Sequence, residues 1–450
     1  MLFKDITYID ENFNTVEHAY IGTKNGVIDY ISTEKPDWGY GEVYDGQGKV
    51  LIPGFVNNHC HAAMGLMRGY GEGLPLQRWL DEKIFPFESK WDENSIYWAG
   101  LLGMAEMIAC GTTSFSDMYF FDAVAEKVVR ESGIKCNFDN PPICFDGTPL
   151  KKQKYFPPVD EMVKKFGHGK GRFIEEFGLH AEYTSTEPLV KEVAAYAKDN
   201  GVRLHIHMDE TKLEHENCKK NRGMTTAQYF EKCGIFENNV NLAHCVWVED
   251  SDIEILAKYP NVSVTHCPSS NMKLGSGFAP IRKMLDAGIN VCLGTDGASS
   301  NNNLNIFEEM HLAAMICRGN TGDADNVSPK ELFKMATVNG AKSQGRLDTG
   351  VIKKGNKADL VVLDFNKPHL VPCYDVLTNI VFSAQSSDVA LTMVDGDVPY
   401  RDGKYKTIDI NKVYDKISYY LPKILEQLRF LKTFSTLFSV TGKNSFRSLF

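Results

Sequence analysis

From about residue 92 to 345 the chain alternates two textures. Stretches such as ENSIYWAGLLGMAEMIACG (93–111) and TEPLVKEVAAYAKDNG (186–201) space apolar residues three and four apart and end on Gly, which predicts helices. Between such stretches lie short apolar runs: TTSFSDM, IKCNFD, FIEEFGLHA, VRLHIHMDE, NVNLAHCVWV, NVSVTHCP and INVCLGTDG. Each reads as a buried strand. With VLIPGFVNNH as the first, eight strand candidates alternate with helical segments, the pattern of a (β/α)8 TIM-like barrel. An open doubly wound sheet would call for an early Gly-rich phosphate turn, and the sequence has none.

The ends differ. Residues 1–54 and 346–406 carry short alternating runs broken by Asn-Gly and Asp-Gly, which predict hairpins, including one at Asp45-Gly46. The two ends are expected to pair into a small β-sandwich beside the barrel of residues 55–345. Residues 407–450 read as a helix and tail, with Lys443 and Arg447 near the terminus. A surface helix with a frayed end is the plain reading and an oligomer contact the sharper one.

With 450 residues, 43% of them hydrophobic and 24% charged, a large core is available and disorder is not expected. A net charge of −9 with interspersed signs argues against a nucleic-acid surface. No apolar run reaches the roughly 18 residues of a membrane span, and the amino terminus lacks the pattern of a signal peptide. A cytoplasmic protein is expected. The 11 cysteines form no Cys-x-x-Cys pair and read as small apolar residues.

In such a barrel, chemistry sits where strands end at their carboxyl side. A lone strand histidine is ordinarily a satisfied core residue. Here His59, His61, His180, His205, His207, His244 and His266 all fall at such ends, and the eighth strand ends at Asp296. Side chains i and i+2 share a strand face, so His59 and His61 offer two imidazoles to one point. Joined by His207 and Asp296 they form the ligand set of one zinc-like ion that keeps a place for water. Such an ion lowers the pKa of its water to near 7, which suits hydrolytic attack on an electrophilic carbon. Glu210, three residues after His207, is placed to carry a proton from water to a leaving group, with His244 and Asp296 as its partners.

The segments PGFVNNHCHAAMGLMRGYGEGLPLQRWLDEKIFPFE, HIHMDET, NLAHCVWV, THCPSSNMKLGSG and LGTDGASSNNNLNIFEEM together resemble the amidohydrolase superfamily. Within it they are similar to the branch of 5-methylthioadenosine/S-adenosylhomocysteine deaminases and triazine hydrolases. The resemblance implies one zinc ion, or iron, at His59, His61, His207 and Asp296. It implies catalytic roles for Glu210, His244 and Asp296, and substrate contacts at Glu88, His180, Glu210, Asp296, Trp79 and Ser300. Core packing for Trp79 and a helix cap for Ser300 are the plain alternatives.

The segment after the third strand contains no Arg, only Lys151, Lys152 and Lys154, so a bidentate fork for a homocysteine carboxylate is missing. The implied activity is hydrolytic deamination of a purine nucleoside such as adenosine, 5′-deoxyadenosine or 5′-methylthioadenosine, with the S-adenosylhomocysteine type less favoured. Deamination or dechlorination of a free guanine, pterin or triazine ring is the alternative. A two-metal cyclic amidase would need a bridging Lys on the fourth strand, and none is there. An idle metal-binding scaffold would be expected to lose the Glu210 and His244 pair. A small-molecule substrate and a homo-oligomer are expected, with no nucleic-acid or membrane partner.

Overall fold

The computed structural model describes residues 1–439, so Lys443 and Arg447 lie outside the described residues. Its strands form three sheets. One five-stranded parallel sheet runs Asp296–Gly297, Phe55–His61, Thr112–Met118, Lys135–Asp139, Phe173–Glu175. The other runs Phe177–Leu179, Leu204–Met208, Val240–His244, Val262–His266, Asn290–Leu293. The predicted fourth and eighth strands are each divided between the two sheets. At the fourth, Glu176 N donates to Phe138 O at 2.7 Å and Phe177 N to Arg203 O at 2.8 Å, so the chain passes from one sheet to the other at a single residue. The arrangement is α/β with parallel strands, of the TIM-barrel type.

The period of two explains why these strands are buried on both faces. Leu204, Ile206 and Met208 pack with Val190, Val193 and Phe230 of neighbouring helices, in one core. His205 and His207 alternate with them and point the other way. Cys60, between His59 and His61, joins Met104 and Met107 in a second core. Burying each such large side chain contributes roughly 1.5–3 kcal/mol. Helices Asp122–Ser132 and Glu187–Asn200 stop on Gly133 (φ 84°) and Gly201 (φ 60°), a left-handed conformation that glycine adopts without a Cβ penalty.

The chain ends pair as expected: Leu360–Asp364 runs antiparallel to Lys49–Pro53, Val361 opposite Ile52, inside one nine-stranded sheet. Asn25-Gly26, Asp395-Gly396 and Asp402-Gly403 all have positive φ at both residues, the signature of tight two-residue hairpin turns. Asp45-Gly46 makes no hairpin. Val43–Asp45 and Lys49–Pro53 both lie parallel alongside Leu2–Ile9. A Cβ on Gly46 would stand 2.4 Å from Ile6 Cβ, so Gly serves close approach there. The predicted first strand is likewise interrupted, at Gly54, with its first half in this outer sheet.

Helix Ile410–Ser439 packs Val413, Ile424 and Leu428 against Ile96 and Ala99 of helix Glu93–Ala109. No helix among the described residues is long and apolar enough to cross a membrane. All cysteines are free, and Cys373 alone is exposed.

Candidate active site

Register places the predicted residues together. Asp296 pairs with Cys60 and Gly297 with His61, which brings the eighth strand's carboxylate to the His-x-His of the first. Asp296 Oδ1 lies 3.4 Å from His59 Nε2 and 3.1 Å from His61 Nε2. Ligand atoms of His59, His61 and His207 lie within 4.8 Å of one another, as do those of His59, His244 and Asp296. Asp296 (φ 59°) and His244 (φ 75°) both hold the left-handed backbone that non-glycine residues rarely take. Such outliers gather where neighbouring structure constrains the chain for function.

Hydrogen bonds on the far ring nitrogens orient the imidazoles. His61 Nδ1 donates to Met118 O at 2.6 Å and His207 Nδ1 to His180 O at 2.9 Å, which leaves each Nε2 free toward the centre. His59 Nδ1 instead faces His205 Nε2 at 2.8 Å, and His205 Nδ1 faces Asp139 Oδ1 at 2.8 Å. His59 Nε2 and His244 Nε2 are buried without a hydrogen bond. Burial pulls the His59 and His207 pKa values well below normal, which keeps both rings neutral. Burial also opposes charge on Asp296, yet pairing with His59 and His61 outweighs it and holds Asp296 well below the usual carboxylate range. Neutral imidazoles with inward lone pairs around an ionised carboxylate fit a zinc-like cation.

Beside His244, Glu210 is buried, with Oε1 unpartnered and Oε2 at 3.8 Å from His244 Nε2. Burial raises its pKa, so it holds a proton more readily than a surface Glu. Glu214 accepts the backbone N–H of Glu210 at 2.9 Å and fixes the turn. His244 Nδ1 is 2.9 Å from Asn271 Oδ1. Glu210, His244, His61, His180, Glu88, Trp79 and Tyr119 line one cavity at the carboxyl ends of the strands. Glu88 accepts from Tyr119 OH at 2.8 Å, and burial pushes its pKa up to about 7.

Residues 50–398 match the model of the amidohydrolase family. The chain belongs to this family. It is 41% identical over 420 residues to a 5-methylthioadenosine/S-adenosylhomocysteine deaminase of Acetivibrio thermocellus, covering 91% of this chain and 95% of the relative. It is 41% identical over 379 residues to a 5′-deoxyadenosine deaminase of Methanosarcina mazei, covering 83% and 86%. Among solved structures, an adenosine deaminase from Xanthomonas campestris with bound zinc superimposes with a TM-score of 0.88 at 26% identity, covering 95% of this chain and 98% of that one. An atrazine chlorohydrolase from Arthrobacter aurescens with zinc, 24% identical with a TM-score of 0.85 over 94% and 100%, shares the fold.

In this amidohydrolase the structure brings together His59, His61, His207, Asp296, His244, Glu210, His180, Glu88 and Trp79. Ser300 stands apart: it does not line the cavity, and its hydroxyl donates to Asp296 Oδ2 at 2.9 Å, beside Ser270 Oγ at 2.6 Å. His266, also at a strand end, is buried with both nitrogens unpartnered and joins neither cluster. Sequence reasoning passed over His205 as a partner of His59, although its i, i+2 spacing from His207 was the available signal. Tyr119, Phe120, Tyr183 and Ile143 also line the cavity, and nothing local distinguishes them from core residues.

Proposed function

We propose that this amidohydrolase is a hydrolytic deaminase of an amino-substituted purine nucleoside, of the adenosine, 5′-deoxyadenosine or 5′-methylthioadenosine type, dependent on one zinc ion. The observation that carries this reading is Glu210, buried with an unpartnered oxygen and facing His244 beside the His59, His61, His207 and Asp296 cluster. Zinc held by those four residues would supply an activated water. The chain's own groups would do the rest. Asp296 and His244 orient the water and accept its proton as oxygen adds to the amino-bearing ring carbon. Glu210 delivers its proton to the ring nitrogen; the proton held by Asp296 and His244 then passes to the amino group, which leaves as ammonia, and the added hydroxyl returns its proton to Glu210 as the ring C=O forms. The names of the two relatives support the nucleoside class.

We infer one barrel of eight strands closed through the divided fourth and eighth, over residues 55–345. Residues 1–54 and 346–406 would form a sandwich, supported by a core of their own that includes Phe3, Ile21, Leu360 and Met393, and 407–450 an appended helix and tail. We place the enzyme in the cytoplasm as a homo-oligomer; its free cysteines are in keeping with a reducing compartment.

An ammonia-release panel on zinc-loaded protein tests the activity. Adenosine, 5′-deoxyadenosine or 5′-methylthioadenosine should release ammonia with a higher kcat/KM than guanine or a pterin. Turnover confined to free bases, or chloride release from a chlorotriazine alone, would overturn the nucleoside reading.

Two further outcomes follow from the geometry. His59 is the one histidine ligand oriented through another side chain, since His205 and Asp139 stand behind it. Asp139→Asn should therefore weaken zinc binding about 10–100-fold in a chelator competition; an unchanged Kd would remove this positioning role. Glu88 loses its proton as pH rises through about 7 and then accepts from a substrate hydroxyl. The expected kcat/KM therefore climbs across that range, and Glu88→Gln should flatten the step. A step that persists in the variant would reassign it to another group.

A further inference from the structure

Tyr119 follows strand Thr112–Met118 and lines the catalytic cavity, where it is 4% exposed. Its hydroxyl accepts from Trp91 Nε1 at 3.1 Å and donates to Glu88 Oε1 at 2.8 Å. The direction of this chain is fixed by chemistry. An indole N–H can only donate, so the Tyr119 oxygen accepts from Trp91 and its one proton is left for Glu88. Burial and the charge of Glu88 push the Tyr119 phenol well above its ordinary pKa, so it stays a donor throughout the neutral range. Among the described residues no other group donates a hydrogen bond to the Glu88 carboxylate, and Oε2 is left to the cavity.

Both aromatic residues of the chain are themselves anchored. Trp91 packs edge-on against Phe87, ring centroids 5.6 Å apart, and its backbone N–H donates to Glu88 O at 2.9 Å. Tyr119 N donates to Asp139 O at 2.9 Å, and the preceding carbonyl, Met118 O, is the one that orients His61. Glu88, by contrast, ends the single helical turn Phe85–Glu88, which has little stability of its own. The other titratable groups that share the cavity with Glu88 are His61, His180, Tyr183, His207, Glu210, His244 and Asp296. Of all charged groups among the described residues, only Tyr119 and His61 act on its pKa: burial raises it to about 7, against the Tyr119 hydrogen bond and the charge of His61.

We propose that Tyr119, backed by Trp91, is a positioning residue for Glu88: it holds Oε1 and leaves Oε2 directed at the substrate hydroxyl. The inference rests on the nucleoside-deaminase reading above and extends it from Glu88 to the two aromatic side chains behind it. Loss of the Tyr119 donor has two consequences of known sign. The ionised form of Glu88 loses a hydrogen bond that favours it over the protonated form, so its pKa rises above about 7. The carboxylate also becomes free to turn, so recognition of the hydroxyl weakens, while the reacting ring carbon at Glu210 and Asp296 is untouched.

The test uses zinc-loaded Tyr119→Phe and Trp91→Phe, each alone and combined with Glu88→Gln, at matched zinc content. The first readout needs no substrate: the protonated-carboxyl infrared band that is missing from Glu88→Gln is titrated with pH. Its midpoint should rise by about one unit in Tyr119→Phe, the scale of one hydrogen bond to a charged group, and by less in Trp91→Phe. The second readout is kinetic. At pH 7 such a shift takes the ionised share of Glu88 from about half to about a tenth, so kcat/KM for adenosine should fall about five-fold, through KM rather than kcat. In the Glu88→Gln background Tyr119→Phe should add nothing. An unmoved midpoint overturns the inference, as does a loss confined to kcat or an undiminished Tyr119→Phe effect in the Glu88→Gln background, which would put Tyr119 on the substrate itself or in packing alone. If Tyr119→Phe fails to fold, an unmoved midpoint in Trp91→Phe overturns it equally. A shifted midpoint with no ammonia released from any nucleoside keeps the positioning role and removes the deaminase reading.

Discussion

Glu210→Gln is expected to lower ammonia release from the nucleoside substrate by about 10³-fold, with bound zinc unchanged. The substitution keeps shape and burial and removes only the capacity to carry a proton. Glu210 reaches no other protein group with Oε1, so no structural contact is lost there. Its backbone stays anchored by Glu214. The loss should fall on kcat and on kcat/KM alike, as for an interaction made only in the transition state. Zinc content measured by atomic absorption on the same sample separates chemistry from ligand loss. Activity within about ten-fold of the unsubstituted enzyme would assign the proton transfer elsewhere.

Stripping the metal with a chelator is expected to bring turnover to background, to lower the thermal midpoint by a few degrees, and to be reversed by zinc. The physical basis is the cluster itself. His59 Nε2 and His244 Nε2 are buried without partners, and Asp296 sits among imidazoles. In the metal-free chain, burial pulls the His61 pKa down, while its pairing with Asp296 outweighs this and raises it to about 9. A proton then occupies the place of a cation. At pH 8, below that value, zinc binding should release about one proton, measurable by calorimetry in buffers of different ionisation enthalpy. The sign follows: apparent zinc affinity falls as pH drops below about 9, because more sites must lose the proton first. Zinc uptake with no pH dependence between 6 and 9 would contradict this arrangement, and full turnover of the stripped protein would refute metal dependence.

Much of the site was legible because strand periodicity is local. His59 and His61 share a face whatever the rest of the chain does, and Leu204, His205, Ile206 and His207 alternate between helix-facing core and interior for the same reason. Ser300 shows the limit. A residue four positions after Asp296 was expected at the substrate, yet its hydroxyl turns back onto the carboxylate. Asp45-Gly46 shows another: the dipeptide that makes hairpins at 395–396 and 402–403 here lets a strand run beside Leu2–Ile9 instead, because long-range pairing outweighs turn preference.

The sequence by itself determined the alternation of strand and helix, the positions of the strand ends, and the residue types that chemistry needs there, since each depends on neighbours a few positions away. Only the tertiary structure decided which of those ends meet. The pairing of Asp296 with Cys60, the Asp139–His205–His59 chain and the raised pKa of Glu88 all join residues far apart along the chain. Burial and strand register create these relations, and neither is a property of any local stretch.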